Sequence, residues 1–231
     1  MNARLLLKTL FLLWLVPPAM AADLIAPAAG SGPGVVIISG ASGNFPYRWY
    51  ARDVAKLGYA VALVSGKEIC ASSSGGCSRT DEESVANLRK AITELQAQGG
   101  ANLGKVAVVG FSLGGGGALV HAAPLSDAIA GVVAYYPSIT KLPSVSKAAG
   151  LVAVPTLILS GEQDKYFGCC LIDSMRAFEA DVRTKGVPVE LVVYPNADHG
   201  FNLDGSKYRP DDTADAWEKT RTFLAKTLPV K

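Results

Sequence analysis

Apolar residues fall in short unbroken runs separated by longer stretches of mixed polarity, and this alternation continues to the end of the chain. Val35-Val36-Ile37-Ile38, Tyr59 to Val64, Val106 to Val109, Ile129 to Tyr135, Pro155 to Ser160 and Val189 to Val193 read as strands. They are short, rich in β-branched residues and bounded by turn formers. Between them, Tyr47 to Leu57 (closed by Gly58), Asp81 to Gln98, Leu171 to Lys185 and Asp212 to Thr227 carry helical spacing. Continuous apolar strands alternating with helices predict an α/β fold, a doubly wound and mostly parallel sheet covered by helices on both faces.

The first 21 residues stand outside this pattern. Arg4 and Lys8 open a positive segment, Leu10 to Val16 is a short apolar run, and Pro17-Pro18 precedes Ala19-Met20-Ala21. This predicts a secretory signal cleaved before Ala22, too short to span a membrane. No cysteine follows the run, which argues against a lipid anchor. Residues 22–34, rich in Ala, Gly and Pro, predict an extended arm, and residues 35–231 a single domain large enough for a sizeable core. Without Arg4 and Lys8 the 22 basic residues become 20, equal to the 20 acidic ones. A balanced chain without a basic, aromatic-interleaved run is not expected to bind nucleic acid or anionic membrane. The expected location is secreted or periplasmic, with no stable membrane association; the oligomeric state is left open.

Gly110-Phe111-Ser112-Leu113-Gly114 spells G-x-S-x-G directly after the run Val106–Val109, with a glycine-rich, helix-compatible stretch from Gly115 to His121 behind it. In that frame the motif predicts a nucleophile elbow with Ser112 held above the sheet. Serine needs a base, and the chain has two histidines. His121 lies nine positions along the departing helix, about 13 Å up its axis, and is expected to pack in or near the core. His199 follows the strand Val189–Val193 in a loop, Tyr194 to Phe201, and is the predicted base. The orienting acid lies between serine and histidine in chain order. Asp164, one short turn past the strand Pro155–Ser160, is that acid; Glu162 is the rival, and Asp198 is expected to face away into solvent.

The segments G-F-S-L-G-G-G, L-I-L-S-G-E-Q-D and V-V-Y-P-N-A-D-H-G-F, with the closing stretch Asp212 to Leu228, resemble the dienelactone hydrolase family of α/β-hydrolases. The likeness runs from about Val35 to Leu228. It implies the doubly wound sheet and cleavage of esters or lactones through an acyl-enzyme. Two departures stand out. Well-known members carry cysteine where this chain has Ser112, and no counterpart is visible of the acidic residue and paired arginines they use around a dicarboxylic lactone.

Acyl transfer also needs two backbone donors for the oxyanion. One is the amide of Leu113; the other is expected from Ser39-Gly40-Ala41-Ser42-Gly43, at Ala41 with Gly40 as the near alternative. Cys70, Cys77, Cys169 and Cys170 form an even set in a chain predicted to be exported, so disulfides are expected. Adjacent cysteines sit about 3.8 Å apart, below the usual spacing near 5.5 Å. The expected pairing is therefore a clasp between the Cys70/Cys77 loop and the Cys169/Cys170 loop. The resemblance points the same way, since relatives place a cysteine near each position. A metal site in these cysteines is the alternative but is not expected, because no histidine lies near and the spacing is wrong. Tyr47, Trp49, Tyr136, Tyr166 and Phe167 fall at the strand C-terminal ends, with Tyr47, Trp49 and Tyr166 the candidates for substrate contact.

The reading is an exported serine hydrolase of carboxylic esters acting on a small-molecule ester or lactone, with Ser112, Asp164 and His199 as its triad and with no cofactor or metal. Lactone or polyester hydrolysis is the alternative within enzymes, and peptide hydrolysis is less favoured without a propeller or lid domain. A non-catalytic binding protein on a hydrolase fold is the alternative from another class, and it predicts a broken triad.

Overall fold

The computed structural model describes residues 22–28, 30–72, 76–97 and 104–230. The leader expected over residues 1–21 lies outside them. Seven strands form one sheet: β1 (Asp23–Ile25), β2 (Gly34–Ile38), β3 (Ala60–Val64), β4 (Val106–Phe111), β5 (Ile129–Tyr135), β6 (Thr156–Gly161) and β7 (Val189–Tyr194). Their order across the sheet is β1-β3-β2-β4-β5-β6-β7. All neighbours are parallel except β1, which runs antiparallel to β3. The arm at residues 22–34 thus supplies an edge strand, pairing Leu24 with Ala62.

Alternation along each strand divides the core in two. Val36, Ile38, Ala62, Val64, Val108, Val132 and Ile158 face α2 (Asp81–Ala97), α3 (Leu113–Gly117), α4 (Val145–Leu151) and α5 (Ile172–Arg183). Val35, Ile37, Val61, Leu63, Val109, Val133 and Leu159 face α1 (Arg48–Lys56) and α6 (Pro210–Thr227) through Tyr50, Val54, Ala216 and Leu224. Adjacent side chains on one strand therefore serve opposite layers, which is why the runs of the central strands β2 to β5 are apolar or small at successive positions. The helix α4 has no counterpart in the sequence reading. It is seven residues long, and its local signal is one cap, the Ser144 side chain accepting from the Lys147 amide. Among the described residues no helix is long and apolar enough to cross a membrane.

The expected cross-loop clasp does not form. Cys70 is bonded to Cys77, and Cys169 to its neighbour Cys170 with Cα atoms 3.8 Å apart. The cause is strand order. The loops after β3 and β6 belong to strands separated by β2, β4 and β5. Four inter-strand steps put them roughly 19 Å apart, far beyond the ~7 Å limit for bridging Cα atoms.

Candidate active site

The sheet's connectivity reverses between β2 and β4, where β2 leads out to β3 on one side and β4 leads on to β5 on the other. In open parallel sheets, the crevice at the carboxyl ends of such strands is where ligands bind. Ser112 follows β4 immediately and caps α3 with φ 52° and ψ −114°, a left-handed backbone that costs energy for a residue with a side chain. Its amide donates to the Tyr135 carbonyl at 3.0 Å, and its carbonyl accepts from the Gly116 amide at 3.0 Å and the Ser138 amide at 2.9 Å. Glycine is required on both sides of the turn. A Cβ on Gly110 would overlap the Gly114 carbonyl, and one on Gly114 would lie 2.6 Å from Ile38 Cγ2.

The structure brings Ser112, His199 and Asp164 together from three loops. Ser112 Oγ lies 2.9 Å from His199 Nε2, and His199 Nδ1 lies 2.8 Å from Asp164 Oδ2. The Asp164 side chain is fully buried, and its other oxygen accepts from the Tyr166 amide at 3.1 Å. A buried carboxylate with both oxygens engaged is fixed in orientation, and it fixes the ring it faces. Glu162 instead pairs with Arg176 at 2.7 Å. Asp198, expected in free solvent, is ion-paired with Lys207 at 2.7 Å and accepts from the His199 amide at 2.6 Å. His121 is buried on α3's continuation, with Nε2 3.0 Å from the Cys70 carbonyl. Burial holds its pKa below the usual histidine range.

The His199 ring is held between two tyrosines. Tyr166 stacks on it with centroids 4.3 Å apart, and Tyr136 meets it edge-on at 4.7 Å. Tyr136 is fully buried, donates to Asn202 Oδ1 at 2.7 Å, and has its pKa driven well above the usual phenol value by burial. Ser112, Tyr136 and Phe167 are the non-glycine residues with left-handed φ among those described, and all three flank this site.

A cavity of about 300 Å³ opens over Ser112 and His199, lined among others by Ala41, Ser42, Tyr47, Tyr136 and Tyr166. Of the aromatic candidates, Tyr47 and Tyr166 therefore border it. Trp49 does not: it lines a separate depression with Tyr50, Tyr208 and Trp217. The difference arises because Tyr47 is the last residue of a short 3-10 turn and Trp49 lies within α1, so their side chains leave the backbone in different directions. Phe167 is exposed and lines neither. Leu203, Asp204, Ser206 and Lys207 complete the rim. The sequence reading missed them, although a polar, Gly205-containing loop between His199 and α6 has to border the histidine it follows.

Ala41 lines the cavity and Leu113 begins α3. Neither backbone N–H has an acceptor among the described residues. The alternative, Gly40, lies tightly between the Tyr47 hydroxyl and Ser112: a Cβ there would sit 2.5 Å from the one and 3.4 Å from the Ser112 Cβ. One group of potential metal ligands is found among the described residues. The sulfurs of Cys169 and Cys170 and a ring nitrogen of His199 all lie within 4.8 Å of one another, with the two sulfurs bonded together.

A sequence model described as the Dienelactone hydrolase family matches residues 20–228. Similar proteins include a provisionally named carboxymethylenebutenolidase of Saccharolobus solfataricus, 31% identical over 149 residues, which are 63% of this chain and 52% of that protein. A protein of the same provisional name from Methylorubrum extorquens is 31% identical over 152 residues, 62% of this chain and 50% of that one. The chain thus spans about half the length of the curated relatives it matches. Among solved structures, a provisionally titled dienelactone hydrolase of Klebsiella pneumoniae superposes with a TM-score of 0.71 at 21% identity, covering 86% of this chain and 88% of that one. Est1E of Butyrivibrio proteoclasticus does so with a TM-score of 0.65 at 16% identity, covering 88% and 94%.

Proposed function

The chain belongs to the dienelactone hydrolase family, and from that premise we propose that it is an exported serine hydrolase of carboxylic esters. The observation that carries the proposal is the unbroken hydrogen-bonded line from Ser112 Oγ through His199 to the buried Asp164. In this reading His199 Nε2 removes the Ser112 proton as Oγ attacks the ester carbonyl. Asp164 keeps the remaining ring proton on Nδ1 and stabilises the imidazolium that forms. The oxyanion settles on the Ala41 and Leu113 amides, whose N–H groups have no competing acceptor among the described residues. His199 then protonates the departing alkoxide. A water deprotonated by the same nitrogen cleaves the acyl-enzyme and restores Ser112.

An ester is favoured over a dicarboxylic lactone because no arginine lines the cavity among the described residues, and its rim lysine, Lys207, is already paired with Asp198. Lactone opening remains the second reading, supported by the names of the curated relatives, since a butenolide is a lactone. Export is supported by the leader-like residues 1–21 and by pairing of all four cysteines. The test is a fluorophosphonate probe followed by an ester panel. Covalent labelling of Ser112, lost in Ser112→Ala, with turnover of p-nitrophenyl esters of graded chain length, is the expected result. An unlabelled, inert but folded protein refutes it and favours the binding-protein alternative. N-terminal sequencing of exported protein should begin near Ala22.

A further inference from the structure

The bond between Cys169 and Cys170 joins neighbours in sequence. A disulfide stabilises mainly by closing a loop in the unfolded chain, and the gain grows with loop length. A bond spanning no intervening residue has almost no loop to close, so stabilisation is a poor account of it. Its place in the fold suggests another. Both cysteines are buried, and their sulfurs lie beside the His199 imidazole. The turn that carries them is held independently of the sulfur bond: the Thr140 amide donates to the Cys169 carbonyl and the Leu171 amide donates to Thr140 Oγ1, each at 2.9 Å. Opening the disulfide therefore leaves two thiols in place next to the ring.

We propose that reduction of this bond turns Cys169, Cys170 and His199 into a site for a soft divalent ion such as Zn²⁺ or Cd²⁺, and that the ion shuts down the hydrolase by taking the His199 ring. The reduction is a two-electron step: a dithiol gives two electrons and two protons to the sulfurs and is itself oxidised to a disulfide. Binding of the ion then releases the two thiol protons. Zinc–sulfur and zinc–nitrogen bonds of about 2.3 and 2.0 Å place tetrahedral ligand atoms roughly 3.5–4 Å apart. The present group, already within 4.8 Å, needs an adjustment of about an ångström beyond parting of the sulfurs. A neutral imidazole has one free lone pair in the ring plane, the one needed for the Ser112 proton. An ion bound to it leaves the serine without a base. The fourth position stays open for water.

Only the effect on turnover rests on the proposed esterase mechanism; the metal site itself does not. The full chain is examined as the disulfide form and after reduction by a trialkylphosphine, which takes its oxygen from water, followed by desalting without air. Cd²⁺ titration should give a thiolate-to-metal charge-transfer band at one equivalent in the reduced form and none in the oxidised form. Cys70→Ser with Cys77→Ser should keep the band, Cys169→Ser with Cys170→Ser should abolish it, and His199→Gln should weaken affinity by about tenfold or more. Stoichiometric Zn²⁺ should stop ester turnover of the reduced form, reversibly with a chelator, and spare the oxidised form. The proposal is overturned by a reduced protein with no band, a band that survives loss of Cys169 and Cys170, affinity indifferent to His199, or zinc-loaded reduced protein at full turnover. An oxidised protein inert to every ester while the reduced form binds Cd²⁺ with the expected variant dependence would refute the esterase reading and uphold the metal site.

Discussion

The imidazole of His199 lies flat on the phenol ring of Tyr166, their centroids 4.3 Å apart and their planes 6° from parallel. Tyr166 also donates its amide to Asp164 Oδ1, so one residue supports both partners of the hydrogen-bonded pair. The ring contact uses the face of Tyr166, not its hydroxyl. Tyr166→Phe is therefore expected to turn over esters within a few-fold of the wild type. Tyr166→Ala should lower kcat about tenfold or more, as loosened orientation of a general base does, with little change in Tm because the residue is partly exposed. Equal kcat for both variants would show that the stack does not position the ring.

The roles in the triad separate by magnitude. Ser112→Ala and His199→Ala should each remove nearly all kcat/KM on a short-chain ester, and the double variant should be hardly worse, because nucleophile and base act as one unit. Asp164→Asn should cost on the order of 10⁴ through loss of the correct tautomer. His121→Ala should stay within a few-fold, since its ring bonds the Cys70 carbonyl and not Ser112. Loss of turnover in His121→Ala with retention in His199→Ala would reverse the assignment.

Two glycines on helices should respond oppositely to alanine. At Gly114 the new methyl would collide with Ile38 and the Ser39 carbonyl, displacing the elbow. Gly114→Ala should therefore lose activity and fold poorly. At Gly150, in α4, nothing lies within 4 Å of an added Cβ. Gly150→Ala should raise stability by about 0.5–1 kcal/mol through the helix propensity of alanine. Denaturant midpoints and ester turnover of the two variants decide the matter.

Buried His121 makes stability depend on acid. Its folded pKa lies below the ordinary value, with burial as the main cause, opposed by the Cys70 carbonyl and by Asp81 and Glu82 nearby. Where pH lies between the folded and unfolded values, the unfolded chain binds more protons, so stability falls as pH falls. The contribution is fully present above about pH 6.5, the ordinary histidine value, and is lost as pH drops below it. His121→Gln cannot titrate. Its Tm should fall less steeply than that of the wild type between about pH 7 and 5, a window set by that ordinary value. Parallel curves would remove His121 from the acid response.

Much of this molecule was written locally. Six of the seven strands and four of the helices follow from runs such as Val35–Ile38 and from the spacing of α2, because burial on both faces favours apolar residues at successive positions; the edge strand β1 lies in what the sequence offered only as an extended arm. The elbow was legible because a turn that tight accepts glycine alone at Gly110 and Gly114, and chain order with strand ends singled out Asp164 and His199. What the sequence did not contain was distance across the sheet. The order β3-β2-β4-β5-β6 separates the cysteine loops and forces each pair to close on itself. The same three-dimensional arrangement carries Asp198 to Lys207, turns Trp49 away from the cavity, and sandwiches His199 between Tyr136 and Tyr166. Local pattern specifies which residues must be buried. Which distant side chains meet is decided by strand order and helix packing, and these satisfy the whole core at once.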